Sequence, residues 1–220
     1  MTPTKVRGSI PAILQNGEEL YEGNLVPYFG LVLRFAQNLR NPYHNFKHMF
    51  HVLWLCHEAC RFYKNTKNTL SPREARNLLI AAMFHDFDHT GRSGNDDLNI
   101  ELALRGLKKC LLNEDAMFFD DIAAIIRPTE FPYKVAVEEL PLLAQILRDA
   151  DVAQAFSQAW IQQVVFGLSG EWGMNPIEIL KMQKAFLGNL APATEWGRQM
   201  FPREAINAKI AEAEELLAML

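Results

Sequence analysis

Residues 78–89 read Leu78-Leu79-Ile80-Ala81-Ala82-Met83-Phe84-His85-Asp86-Phe87-Asp88-His89. Seven apolar residues run straight into a polar cluster, so imidazoles and carboxylates emerge at the end of a helix expected to be buried. His85, Asp86 and His89 fall within about one helical turn of each other. Imidazole and carboxylate together suit a divalent metal such as Zn, Mn, Fe or Ni. An adjacent His-Asp pair cannot chelate as an i,i+4 pair does, but at a helix end both side chains can turn toward one point. A bare His-Asp dipeptide is a weak signal. This one has company, with His44, His48 and His51 upstream and Asp149 and Asp151 downstream.

Working outward, Ser71-Pro72-Arg73-Glu74 is a capping box with proline at the first helical position, and it launches the helix that ends near His85. Helical periodicity dominates elsewhere, and alternating Val/Ile/Thr runs bounded by hairpin turns are absent from the sequence. Helices are expected over 17–40, perturbed near Pro27 and stopped by Asn41-Pro42. A helix over 45–64 is apolar nearly all round and therefore expected to be central. Gly91 and Gly94 mark a loop, after which 95–112 reads as helix. Further helices are expected over 117–126, stopping near Pro128, over 141–158, over 176–190 behind the Asn175-Pro176-Ile177-Glu178 cap, and over 203–219. The fold class is all-α, a compact multi-helix bundle with short connections, in a single domain spanning 1–220.

Composition narrows the function classes. Of 220 residues, 49% are hydrophobic, which argues against disorder, and the length suffices for a real core. The net charge is −4 with no basic patch, so a nucleic-acid partner is not expected, while a small nucleotide stays open. The start, MTPTKVRGSI, lacks an apolar signal core, and no run approaches the roughly 18 apolar residues of a membrane span. Three cysteines, an odd number, fit a reducing cytosol. Cys56 and Cys60, spaced i,i+4 on an apolar helix, read as free core thiols ahead of zinc ligands.

Several residues are candidates for chemistry. His44, His48 and His51 can share one face if their helix begins by Asn45. His57 stands apart and is assigned a structural or surface role. Asp149 and Asp151 flank the apolar stripe Leu142, Leu143, Ile146, Leu147, Ala150, Ala153 almost symmetrically, so periodicity does not choose between them. Gln183 and Phe186 lie on the stripe Ile179, Gln183, Phe186, Leu190. A glutamine amide on an apolar face offers two donors and an acceptor, useful for reading a ligand edge or for bonding backbone. Trp54, Trp160 and Trp172 read as packing residues.

The order Tyr43-His44-Asn45-x-x-His48, then His85-Asp86-x-Asp88-His89-x-Gly91, then Ala150-Asp151 resembles the HD superfamily of metal-dependent phosphohydrolases. The closer likeness is to the catalytic domain of the class I 3′,5′-cyclic nucleotide phosphodiesterases, in which both histidine signatures recur in this order. Glu101-Leu102-Ala103-Leu104 resembles the segment after the second signature, and Gln183-x-x-Phe186 matches that family's Gln-x-x-Phe. The resemblance spans roughly residues 42–200. It implies an HD-domain bundle and divalent metal ions (Zn, Mn, Mg, Fe or Ni). The first would be held tightly by His48, His85, Asp86 and Asp151, and Asp86 would bridge to a second. Resemblance, not periodicity, selects Asp151 over Asp149. It implies His44 as general acid, His89 beside the activated water, Gln183 reading a purine, Phe186 stacking on it, and Tyr43 in the substrate site. The chain is shorter than that family's catalytic domain, lacks its Asn-His-His stretch after the second signature, and has no histidine beyond residue 89.

The chemistry stands without the family. Phosphoester hydrolysis needs a nucleophile at neutral pH, charge neutralisation, and a proton for the leaving oxygen. A metal supplies the first two and a nearby histidine the third. The expectation is a cytoplasmic metal-dependent phosphodiester hydrolase acting on a small-molecule phosphoester, with a cyclic nucleotide favoured. The alternatives are an HD phosphatase or nucleotidase, an HD di-iron oxygenase, and a non-catalytic metal-containing sensor. The oxygenase would need more ligands on its second iron than this chain offers after residue 89.

Overall fold

The computed structural model describes residues 11–66, 69–94 and 96–219. Among these it holds eleven α-helices, several 3-10 turns and one π-helical turn, with no strand. The all-α reading of the sequence is what the structure shows.

A short α1 (Ala12–Gln15) leads to α2 (Val26–Phe35). The expected helix over 17–40 is therefore reduced to its middle. Asn16 and Glu19 adopt positive φ, and the Asn16 side chain accepts the Leu20 and Tyr21 N–H groups, which ties 16–23 into a turn. Pro27 does not perturb a longer helix. It stands in the first turn of α2, where its missing N–H costs no helical hydrogen bond.

α3 (Phe46–Lys64) starts at Asn45, whose side chain accepts the N–H groups of Lys47 and His48. α4 (Pro72–Phe84) carries the full capping box: Ser71 Oγ accepts the Glu74 N–H, and Glu74 accepts the Ser71 N–H. Every residue of α4 from Ala75 to Phe84 is buried. This corrects the expectation that α3 is the central helix. α3 leaves Trp54 exposed, whereas α4 is covered by α2, α3, α5 (Asp96–Cys110), α6 (Phe119–Ile126) and α7 (Leu142–Asp151). Cys56, Cys60 and Cys110 are free and buried.

The expected helix over 141–158 ends as α7 at Asp151 and tightens into a 3-10 turn, Val152–Phe156. A π-helical turn (Ile161–Val165) runs into α8 (Phe166–Trp172), and α9 (Pro176–Asn189), α10 (Glu195–Met200) and α11 (Arg203–Ala218) follow. α8 and α10 have no counterpart in the sequence reading. Each is under two turns long, and α8 contains Gly167 and Gly170, which weaken its helical signal. Trp160, Val164, Leu168, Ile179, Leu180 and Ala213 form a second, smaller core beneath α8, α9 and α11. No helix is long and apolar enough to cross a membrane among the described residues.

Candidate active site

Three helix ends converge. His48 lies in the first turn of α3, His85 caps the C-terminus of α4 with Asp86 following, and Asp151 closes α7. The His48 Nε2 atom is 3.0 Å from Asp151 Oδ1 and 3.3 Å from Asp86 Oδ2. The His85 Nε2 atom is 3.4 Å from each of those oxygens and 3.4 Å from His48 Nε2. Ligand atoms about 2.0–2.2 Å from one ion stand roughly 3.0–3.5 Å from their neighbours, so this spacing suits a single small divalent cation.

Hydrogen bonding supports the fit. His85 Nδ1 bonds the Ala82 carbonyl at 2.8 Å, and His48 Nδ1 bonds Gln154 Oε1 at 2.8 Å. Both acceptors are oxygens, so each Nδ1 is the donor and both Nε2 lone pairs face the same point, the usual arrangement of ligating histidines. Asp86 Oδ2 is buried and makes no hydrogen bond among the described residues. Two inward lone pairs beside an orphaned carboxylate oxygen ask for a positive charge. Burial works against ionisation of Asp86 and Asp151, yet His85 and His48 outweigh it and hold both carboxyls below the usual range.

His44 precedes α3, so the three upstream histidines do not share a helix face as expected. His44 is placed by the turn before Asn45, and His51 packs instead near Trp54, ring centroids 5.9 Å apart. The His44 ring lies 5.9 Å from that of His48. Its Nδ1 bonds Glu171 Oε1, while Glu171 Oε2 accepts the N–H groups of Tyr43 and His44 at 2.9 and 3.0 Å. Burial alone would lower the His44 pKa, but Glu171 and Asp86 outweigh it and raise it. α8 brings Glu171 there because it has no side chain at Gly167. A Cβ at that position would lie 3.1 Å from the Pro42 carbonyl and 3.3 Å from Tyr43 Cβ.

His89 stacks on His44 with centroids 3.7 Å apart. Its Nδ1 faces the Gly91 N–H at 3.0 Å and its Nε2 faces Asn99 at 2.8 Å. Burial first, then the nearby His44 and His48, push its pKa down to about 4. One buried amide joins the two halves of the site: Asn38 Nδ2 donates to the carbonyls of His44 and Asp86, 2.8 Å in each case. Asp88, at φ 62, accepts the Gln37 N–H and donates its own to Asn38.

Of the other candidates, only Tyr43 touches these histidines. Asp149 accepts the N–H groups of Ala193 and Thr194 and the Thr194 hydroxyl, at the start of α10, away from the histidines. His57 is buried in α3 outside the cluster. Tyr43 lies against His44 and His48, ring centroids 4.7 and 5.0 Å away. Gln183 and Phe186 are half-buried on α9, and the Gln183 amide makes no hydrogen bond among the described residues. Phe186 meets Phe131 edge-on. Glu171, Asn38, Gln154 and Asn99 escape the sequence reading, because a single Glu, Asn or Gln in a weakly patterned segment carries no local signal.

Residues 43–105 match the family model described as 3′5′-cyclic nucleotide phosphodiesterase. That segment is similar to the cyclic nucleotide phosphodiesterases, a family of hydrolases. A search of curated proteins gave no match. The phosphodiesterase-like segment carries Tyr43, His44, His48, His85, Asp86 and His89. Asp151, Glu171, Gln183 and Phe186 lie beyond it; α7 brings Asp151 to His48 and His85, and α8 brings Glu171 to His44.

Proposed function

We propose that this chain hydrolyses a phosphodiester bond in a 3′,5′-cyclic nucleotide or a close relative, with one divalent ion held by His48, His85, Asp86 and Asp151. The observation that carries the reading is the pairing of that four-residue cluster with a hydrogen-bonded histidine one ring away, His44 on Glu171. An ion held by those residues would supply a lowered pKa for water and neutralisation of phosphate charge.

The chain's own groups do the rest. Glu171 accepts from His44 Nδ1, which leaves Nε2 to deliver a proton to the leaving oxygen. Glu171 and Asp86 raise the His44 pKa against the effect of burial, which favours the protonated ring. His89, with its depressed pKa, stays neutral and keeps the stacked His44 ring oriented. Tyr43 walls the site beside both histidines. The unengaged Gln183 amide and the Phe186 ring offer a hydrogen bond and a stacking face to a base.

The test begins with metal analysis of protein as purified, then a screen of cyclic and linear phosphoesters with Mn, Mg, Zn, Fe and Ni added back. His44→Ala should retain metal and lose roughly 10²–10⁴-fold in turnover of esters with poor leaving groups. A nitrophenyl phosphodiester should suffer less, because its leaving group needs no proton. Equal losses on both substrates would remove His44 from the acid role.

A further inference from the structure

The two histidines of the cluster keep their protons by different means. His85 Nδ1 bonds the Ala82 carbonyl, which can only accept, so its proton stays on Nδ1. His48 Nδ1 bonds the side-chain amide of Gln154, which is 3% exposed. An amide can present either an oxygen or an NH2. With the NH2 turned toward His48, the proton would move to Nε2 and the lone pair would leave the cluster. Asp151 Oδ1 and Asp86 Oδ2, 3.0 and 3.3 Å from Nε2, would accept that proton. The Gln154 amide therefore has to be held the right way round.

One group does this. Gln154 Nε2 donates to Gln163 Oε1 at 2.5 Å, which leaves the Gln154 oxygen for His48. Gln163 stands in the π-helical turn Ile161–Val165, which the proposed chemistry leaves unused. Turns of this kind are rare and concentrate at functional sites. Val164 and Val165 anchor this one in the second core. From there two hydrogen bonds lead to the His48 ring, both donors pointing the same way, so each polarises the other.

We propose that Gln163 is a positioning residue for the metal centre: its amide oxygen fixes Gln154, so that His48 carries its proton on Nδ1 and turns the Nε2 lone pair toward a divalent ion. The inference rests on the proposed ligand role of His48. Gln163 acts through Gln154 and works by hydrogen-bond polarity. Acceptor-only and donor-only groups at this position should therefore act in opposite directions.

Zinc affinity, measured by competition with a chelator, reads the effect without any turnover. Gln163→Glu offers only acceptors and should bind zinc at least as tightly as the parent. Gln163→Lys offers only donors, turns the Gln154 amide round, and should weaken zinc binding roughly 10- to 100-fold, the range for losing an outer partner of a ligating histidine. Gln154→Glu in the Gln163→Lys background returns an acceptor to His48 and should recover most of that loss. Gln162→Lys, at an exposed neighbour, adds the same charge without reaching Gln154, and solvent screening should keep its effect within about threefold. Equal weakening by the two lysine variants, or none by Gln163→Lys, would overturn the assignment. Long-range proton–nitrogen NMR of the metal-free protein, at a pH where the ring is neutral, separates this inference from the ligand reading. His48 should carry its proton on Nδ1 in the parent and on Nε2 in Gln163→Lys. If the parent binds no zinc, that switch still supports the relay, and the same tautomer in both proteins rejects it.

Discussion

Glu171 decides what His44 can do. A histidine whose Nδ1 bonds a carboxylate holds a second proton more tightly, and Glu171 is the hydrogen-bonded group that raises the His44 pKa. An acid works while protonated, so activity should fall as pH rises through the His44 pKa. In Glu171→Gln that raising influence is lost, and the alkaline limb of the kcat/KM profile should move to lower pH. Turnover of poor leaving groups should drop about tenfold or more at neutral pH. An alkaline limb that stays in place would break the link between the two residues. The two aspartates of α7 part company at the same scale. Asp151→Ala should lose metal on elemental analysis. Asp149→Ala should keep it and lose about 1–3 kcal/mol in chemical denaturation, because the Ala193 and Thr194 N–H groups and the Thr194 hydroxyl lose their acceptor.

At the scale of the element, the stretch HDFDH works by dividing its residues between site and core. His85 and Asp86 face the cluster, while Phe87 is buried and stacks on Phe84 with centroids 5.3 Å apart. α5 can approach Phe87 only because Gly106 has no side chain: a Cβ there would lie 2.2 Å from the Phe87 ring. Gly106→Ala should therefore cost about 1–3 kcal/mol through overpacking, and it should also weaken metal retention, since Phe87 is bonded directly to Asp86. Ser71→Ala is the matching control at the other end of α4. It removes the cap at a cost of about 0.5–2 kcal/mol and should leave metal content and kcat unchanged. Comparing metal content in the two variants at equal stability loss reads out whether α5 packing positions the site.

At the scale of the whole molecule, one charged cluster far from the site ties the N-terminal turn to the core. Asp115, fully buried, accepts from Arg73, Arg76 and Tyr28, and Arg76 also donates to the carbonyls of Glu22 and Asn24. Burial would raise the Asp115 pKa, but Arg76, Tyr28 and Arg73 outweigh it and hold the carboxyl below its usual range. A depressed carboxyl contributes its stability above the unfolded-state pKa of about 4 and loses it as pH falls toward the folded value. Asp115→Asn should lower stability at pH 7 by about 3–5 kcal/mol and flatten its dependence on pH below about 4. An unchanged acid limb in thermal melts would place acid sensitivity elsewhere. The same distance in sequence that hides this cluster hides half of the site. Helix class, the Ser71 and Asn175 caps and the emergence of His85-Asp86 from an apolar helix were legible along the chain, because capping and periodicity act over a few residues. The family signatures made His44 and His48 legible too. The partners were not. Asp149 and Asp151 are equivalent to periodicity, and only the docking of α7 against α3, α4 and α10 sends one toward the histidines and the other to Thr194. Glu171 lies 127 residues from His44 and meets it through Gly167, and the 17–40 segment turns rather than coils because Asn16 bonds its backbone. Local hydrogen bonding and hydrophobic spacing are written in neighbouring residues, whereas the meeting of three helix ends depends on how whole faces pack.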